Sequence, residues 1–269
     1  MEKNFFPFTF NNKYVTDSEP VCCIIAAGEM SEADISALAD MPFEHAKDII
    51  VAADGGAVYA ARAGIVPNVI IGDFDSALPS GRYEYLYDSI GQNEFDSAIA
   101  KFCEKSEIIR YPIEKDDTDL MLAIKLGISR GFKLFCIFGA LGGAFYHNMA
   151  SVQSFKYIAE RGGIVCAVGK ANTLICIGSG EAVFSEDFLP DAAVSPYLKH
   201  RSKTPGSGKF SLFSLSEKSF GVCIKNAKYE LQDENISSSF PIGAGNSRIA
   251  GKRMSISVKD GIILIDNEF

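Results

Sequence analysis

Several short stretches in the first two-thirds of this chain are apolar at nearly every position: Val21–Ala27, Ile49–Ala53, Val69–Ile71, Lys133–Phe138 and Ile164–Val168. A strand with one wet face alternates apolar and polar residues. Continuous runs of this length instead require strands covered on both faces, as in a parallel sheet flanked by helices. Helix-like segments lie between them. Ser31-Glu32-Ala33-Asp34 reads as a helix start, Ala57–Ala63 as a short helix stopped by Gly64, and Thr118 as the cap of a helix with Leu120, Ala123, Ile124 and Ile128 at helical spacing. Gly139-Ala140-Leu141-Gly142-Gly143 then turns the chain into a helix carrying Met149, Val152, Phe155 and Ile158 on one side. This succession predicts an α/β fold with a doubly wound, mostly parallel sheet.

The texture changes near Lys170. From Thr173 onward the apolar runs are short and strand-like: Glu181–Phe184, Phe210–Leu215, Phe220–Ile224, Lys228–Leu231 and Met254–Val258, with Asp260-Gly261 signalling a two-residue hairpin. The expectation is an α/β domain over residues 1–170 and a smaller all-β sandwich domain over 171–269. The basic, Pro/Gly/Ser-rich stretch from Ser195 to Lys209 reads as an exposed loop.

Charge and composition exclude some partners. With 26 Lys+Arg against 34 Asp+Glu the net charge is -8, which repels rather than neutralises nucleic-acid phosphates. No apolar run approaches the ~18 residues of a membrane helix. Met1–Phe8 lacks the apolar core of a signal peptide, so the expected location is cytoplasmic. The 7 cysteines lie mostly inside apolar runs and never as Cys-x-x-Cys, which fits buried, reduced thiols better than a zinc site.

Ligands of open α/β sheets bind beyond the carboxyl ends of the strands, and here those ends are acidic. Asp54 follows the second run, Asp73 and Asp75 the third, and Asp116, Asp117 and Asp119 lie at the start of the next helix. Taken one motif at a time, Asp73 and Asp75 read equally well as turn residues, and Thr118 with Asp119 as a helix cap. Three acidic clusters on one edge shift the balance towards a hard cation, Mg²⁺, with phosphate oxygens. Gly55-Gly56 and Gly142-Gly143 could admit phosphate to backbone N–H groups at helix starts, or could be tight turns with no ligand. Neither a Walker-type loop nor a dinucleotide fingerprint is present: Gly206-Ser207-Gly208-Lys209 follows no strand, and Gly243-Ala244-Gly245 has Arg248 where a third Gly would stand.

Taken in order, Asp54-Gly55-Gly56-Ala57, Pro67 with Ile71-Gly72-Asp73-Phe74-Asp75-Ser76, Lys115-Asp116-Asp117-Thr118-Asp119-Leu120 and Gly139–Gly143 resemble the motifs of the thiamine pyrophosphokinase family. Gly243–Asn246 and Met254–Ile265 are similar to its β-domain segment and closing hairpin. The resemblance implies transfer of pyrophosphate from ATP to the thiamine hydroxyl, releasing AMP. It implies Mg²⁺ held by Asp73, Asp75, Asp117 and Asp119, which form the catalytic set. ATP would be held by Asp54, Gly55, Lys115, Thr118, Gly142 and Gly143, and thiamine by Gly245 and Asn246. Asp73 or Asp117 would take the hydroxyl proton. A homodimer is implied, each thiamine pocket drawing on both chains.

This chain departs from the pattern where the family has Arg-x-Asp after the glycine pair, since Ala144, Phe145 and Tyr146 stand there before His147. Gly245 replaces a Ser before Asn246. These departures leave room for a related pyrophosphokinase with another acceptor, or for a nucleotide or vitamin sensor without turnover. A nucleotide-sugar transferase shares the Asp-x-Asp form of Asp73-Phe74-Asp75, but fits Asp117-Thr118-Asp119 and the all-β tail poorly.

Overall fold

The structure is a computed structural model that describes residues 8–11, 15, 19–44, 46–73, 102, 104–112, 114, 116–170, 172–184 and 208–268. Asp75, Lys115 and most of the Ser195–Lys209 stretch lie outside the described residues. The strands are β1 (Phe8–Asn11), β2 (Val21–Ile25), β3 (Ile49–Ala53), β4 (Val69–Gly72), β5 (Glu107–Arg110), β6 (Leu134–Phe138), β7 (Ile164–Val168), β8 (Asn172–Ile177), β9 (Gly180–Phe184), β10 (Lys209–Ser214), β11 (Lys218–Lys225), β12 (Leu231–Ser237), β13 (Gly243–Ser247), β14 (Met254–Val258) and β15 (Ile263–Glu268). The described helices are α1 (Glu32–Ala39), α2 (Gly56–Arg62), α3 (Asp119–Ser129) and α4 (Phe145–Ala159).

Among the described residues the strands form a ten-stranded mixed sheet, β13-β10-β15-β8-β7-β6-β2-β3-β4-β5, and a five-stranded sheet, β1-β9-β14-β11-β12. The continuous apolar runs become the parallel part, from β7 to β5. Each of β2, β3, β4, β6 and β7 is buried along its whole length, which explains the lack of alternation. Two apolar layers cover the sheet. Cys23, Ile25, Ile50 and Ile70 face the layer that holds Leu38 of α1 and Tyr59 of α2. Cys22, Ile24, Val51 and Ile71 face the layer of Leu122 and Ile124 of α3 and Phe155 and Ile158 of α4. Each large side chain buried in these layers contributes ~1.5–3 kcal/mol. The fit is tight, because a Cβ added at Gly127 of α3 would lie 2.7 Å from the Phe135 ring and 2.8 Å from Cys22 Sγ.

Residue 170 falls in the turn between β7 and β8, and the sheet runs on across it: β8 pairs antiparallel with β7, then β15, β10 and β13 follow. The five-stranded sheet packs through Phe184, Ile224 and Ile256 onto Ile175, Phe210 and Ile265 of the larger one. Strand β1, from the start of the chain, pairs with β9 in this second sheet. The cysteines of β2, β6, β7 and β8 are buried and free, and burial pushes the Cys22 and Cys176 thiols above their ordinary range.

Three local expectations are corrected. Asp260-Gly261 does not close a hairpin: β14 pairs with β9 and β11, whereas β15 pairs with β8 and β10. The turn crosses from one sheet to the other, tied by the Asp260–Phe220 bridge, so that both strands present their apolar sides to the shared core. The strand expected at Lys228–Leu231 begins where that expectation ends and runs through the polar Leu231–Ser237. It is an edge strand with a largely exposed face, so burial does not select its residues. Met149 is exposed, and the buried side of α4 is Ser151, Ser154, Phe155, Ile158 and Ala159. No helix among the described residues is long and apolar enough to cross a membrane.

Candidate active site

The order of the parallel strands reverses between β2 and β6, with β3, β4 and β5 laid down on one side and β7 on the other. Such a reversal leaves a crevice at the carboxyl ends, because the following loops diverge. Ala26 N donates to Phe138 O at 2.8 Å and Gly28 N to Gly139 O at 2.7 Å, so the two strands stay joined just past their ends. A Cβ at Gly28 would lie 2.4 Å from Gly139 O, so only glycine permits that approach. A cleft of about 630 Å³ opens here, lined by the ends of β2, β3, β4 and β6 and the first turns of α3 and α4.

Three carboxylates converge on it. Asp54 ends β3, Asp73 follows β4 and Asp119 opens α3, and each offers an oxygen within 4.8 Å of the others. Local structure fixes Asp54 and Asp119. Asp54 takes a left-handed backbone (φ 48°) and donates its N–H to Ile71 O of the neighbouring strand at 2.8 Å. Asp tolerates that conformation better than most residues, and strain of this kind concentrates at functional sites. Gly72 lets Asp54 close in, since a Cβ there would sit 3.2 Å from Asp54 Cβ. Thr118 Oγ1 accepts the Met121 N–H at 3.1 Å, fixing the start of α3 and hence Asp119. Three negative groups this close repel one another unless a cation sits among them. An all-oxygen donor set suits a hard ion such as Mg²⁺.

The expected residues divide. Asp73 and Asp119 are brought together, and Asp54 joins them as a third member of the cluster. Asp117 goes elsewhere: its carboxylate accepts two hydrogen bonds from Lys125 Nζ, at 2.8 and 2.6 Å, and this bond raises the lysine's pKa. It precedes the cap, whereas Asp119 lies in the first turn, so the two side chains leave the backbone in different directions. Thr118, Gly142 and Gly143 line the cleft, while Gly55 is buried as the residue before α2.

Some cleft residues carried no motif. Glu29 follows β2 and lies against the glycine loop, where a Cβ on Gly142 would be 3.5 Å from Glu29 Cβ. Its place just after an apolar run was the available signal. Ser151 Oγ donates to Ala140 O at 2.7 Å, and Asn148 bonds to the same loop. Polar residues on the sheet side of α4 would have marked them, had the helix been phased correctly. Tyr146 and His147 line the cleft with ring centroids 4.1 Å apart. Among the described residues no lysine or arginine lines it.

Gly245 and Asn246 lie far from this cleft, on β13 at the other end of the sheet. β13 is five strand spacings from β6, or ~24 Å at ~4.8 Å each. Asn246 is buried, and its amide bonds the nearby backbone: Oδ1 accepts from Tyr229 N at 3.0 Å and Ser247 N at 2.8 Å, and Nδ2 donates to Tyr229 O at 2.6 Å. Gly245 is exposed with φ 75°, and its N–H donates to Ser211 Oγ at 3.1 Å.

A family model described as thiamin pyrophosphokinase, catalytic domain, matches residues 43–168. None of the curated proteins compared matches the chain. Among solved structures, a thiamine pyrophosphokinase from Bacillus subtilis is 22% identical, covering 92% of this chain and 98% of that one with a TM-score of 0.68. One from Candida albicans is 15% identical (93% and 90% covered, TM-score 0.64), and one from yeast 14% (95% and 88%, TM-score 0.63). At such identities the likeness is one of fold.

Proposed function

We propose, for a chain that belongs through residues 43–168 to the thiamine pyrophosphokinase family, that it transfers the pyrophosphoryl group of ATP to the hydroxyl of thiamine, giving thiamine diphosphate and AMP. The observation that carries this reading is the convergence of Asp54, Asp73 and Asp119 opposite a glycine loop in one cleft. These three carboxylates would hold Mg²⁺, which when bound neutralises charge on the phosphate oxygens.

The chain's own residues supply the rest. Gly142 and Gly143 are exposed and left-handed (φ 110° and 66°), so the loop can bring the Gly143 N–H against phosphate, the Gly142 N–H being bonded to Asn148 Oδ1. Ala144 precedes α4 without a side-chain cap, leaving the helix start open to an anion. Asp73, which lines the cleft, would accept the hydroxyl proton at a carboxylate oxygen; the bonding of Asp117 to Lys125 supports this choice between the two. The hydroxyl oxygen forms a bond to the β-phosphorus as the bond to the bridging oxygen breaks, and AMP leaves with that oxygen. Positioning and charge neutralisation, rather than a covalent intermediate, carry such a transfer.

For Gly245 to reach an acceptor in the cleft, the β13 region of one chain would have to meet the cleft of a partner, as in a homodimer. The engaged amide of Asn246 and the bare Gly245 favour a second reading, a pyrophosphokinase acting on another ring-bearing alcohol. A ³¹P NMR or chromatographic assay with ATP, Mg²⁺ and thiamine tests both. AMP and thiamine diphosphate appearing together support the first. AMP formed only with a different alcohol supports the second, and ATP binding without turnover leaves a sensor.

A further inference from the structure

The loop that faces the three carboxylates is costly to hold still. Between β6 and α4 the backbone is left-handed at Gly139, Gly142 and Gly143 (φ 66°, 110° and 66°), and a Cβ at Gly143 would meet nothing within 4 Å. Glycines in the open lose the most conformational freedom when fixed. The usual device at a helix start is also missing, because Ala144 has no side chain to cap α4.

Asn148, in the first turn of α4, ties the loop down from behind. Its Oδ1 accepts the Gly142 N–H at 2.8 Å, and its Nδ2 donates to Gly142 O and to Ala144 O, both at 3.1 Å. One amide thus spans the loop and the helix start, while the side of the loop that faces the cleft stays open. His147 is the first residue of α4 to donate back to Ala144 O, at 3.1 Å, so the N–H groups of Phe145 and Tyr146 precede the helix's own hydrogen-bond ladder. A capping side chain in front of the helix would compete with a ligand for those groups; Asn148, bonding from within the helix, does not.

We propose that Asn148 is a positioning residue for the phosphate subsite: it fixes Gly142, Gly143 and Ala144 so that the loop and the first N–H groups of α4 receive the donor's phosphate oxygens, without itself touching the donor. The inference rests on the phosphate placement proposed above, but on different residues from the carboxylate cluster. It also fits this chain's departures, since Ala144 and Tyr146 stand where the related pattern has a charged pair.

The test compares N148A with M149A, a change at an exposed neighbour on the same helix that is not part of the cleft lining. Hydrogen–deuterium exchange of the ligand-free protein should rise over residues 139–147 in N148A and not in M149A. Calorimetric titration with Mg-ATP should show binding weakened about tenfold in N148A, with the KM for the acceptor changed less than about twofold. Unchanged loop exchange, or unchanged ATP affinity beside a wild type that binds ATP, overturns the role of Asn148 alone. Equal losses for ATP and acceptor with a lowered Tm would make it a mere support of α4 and also overturn it. A wild type that binds no ATP overturns the proposed function and the phosphate role together. Should N148A fail to fold, N148D is read the same way: it keeps the acceptor for Gly142 N–H and loses both donors, so a smaller rise in loop exchange is expected.

Discussion

The two ends of the large sheet treat their polar residues in opposite ways. At the carboxyl edge of β3 and β4, Asp54 is fixed through its backbone, and its carboxylate meets those of Asp73 and Asp119 at the cleft. On β13 the side chain of Asn246 is itself the structural link, bonded to Tyr229 and Ser247. The strands of the parallel edge are joined by main-chain ladders and covered by helices. The β13 end, which has a register shift against β10, recruits an amide to complete its backbone bonding. A polar residue in a motif therefore points to a ligand only where the backbone does not need it.

The largest expected effect lies at the first end. Asp73→Asn or Asp119→Asn should leave the fold intact and lower turnover by about 10²–10³, or ~3–4 kcal/mol of transition-state stabilisation, because an amide keeps the shape and loses the charge a cation needs. Asp117→Asn breaks an exposed ion pair worth ~0–1 kcal/mol and should leave turnover within about twofold of wild type. Steady-state rates at saturating Mg²⁺, with circular dichroism to verify folding, separate the three variants. Near-normal turnover in Asp73→Asn and Asp119→Asn, or collapse in Asp117→Asn, would reverse the assignment of the cluster.

Next comes Asn246→Ala. It leaves the Tyr229 and Ser247 N–H groups without the Asn246 acceptor, at a cost of about 2–3 kcal/mol of stability. The expected result is a Tm lowered by several degrees, with similar losses for both substrates. A variant as stable as wild type, with a raised KM for the acceptor alone, would instead move Asn246 from the fold to the pocket and erase the contrast between the two ends.

Much of this was legible in the chain itself, and the exceptions share a cause. The continuous apolar runs became the buried parallel strands because burial on both faces leaves an unmistakable pattern. Ser31 and Thr118 cap their helices because a cap is a local bond across three residues. What failed depended on distant partners. Glu107–Arg110 is an edge strand of β type with little burial, and Asp260-Gly261 joins strands whose pairing is decided by the other sheet. In the site, the acidic edge was legible from the ends of the runs. The choice between Asp117 and Asp119 was not, because it turns on where Thr118 caps α3 and on the reach of Lys125. The tie made by Asn246 runs across 17 residues to Tyr229, beyond any local pattern.

The smallest effect sharpens the comparison at β13 itself. Gly245 is exposed, a Cβ there would meet nothing within 4 Å, and its φ is 75°. Gly245→Ser should therefore fit sterically but cost ~1 kcal/mol of backbone strain, a lowering of Tm by a few degrees at most. If the β13 end helps bind the acceptor in a dimer, the new hydroxyl adds a polar contact that the chain now lacks, and the KM for thiamine should fall by about two- to fivefold with the KM for ATP unchanged. Selectivity for thiamine over analogues with an altered ring should rise with it, because discrimination grows when a buried polar group must find its partner. Measuring kcat/KM for thiamine and for such analogues in wild type and Gly245→Ser decides the matter. Kinetics unchanged for every acceptor would mean that this end of the sheet serves only the fold, and would leave acceptor choice to the surface presented by Tyr146 and His147 at the cleft.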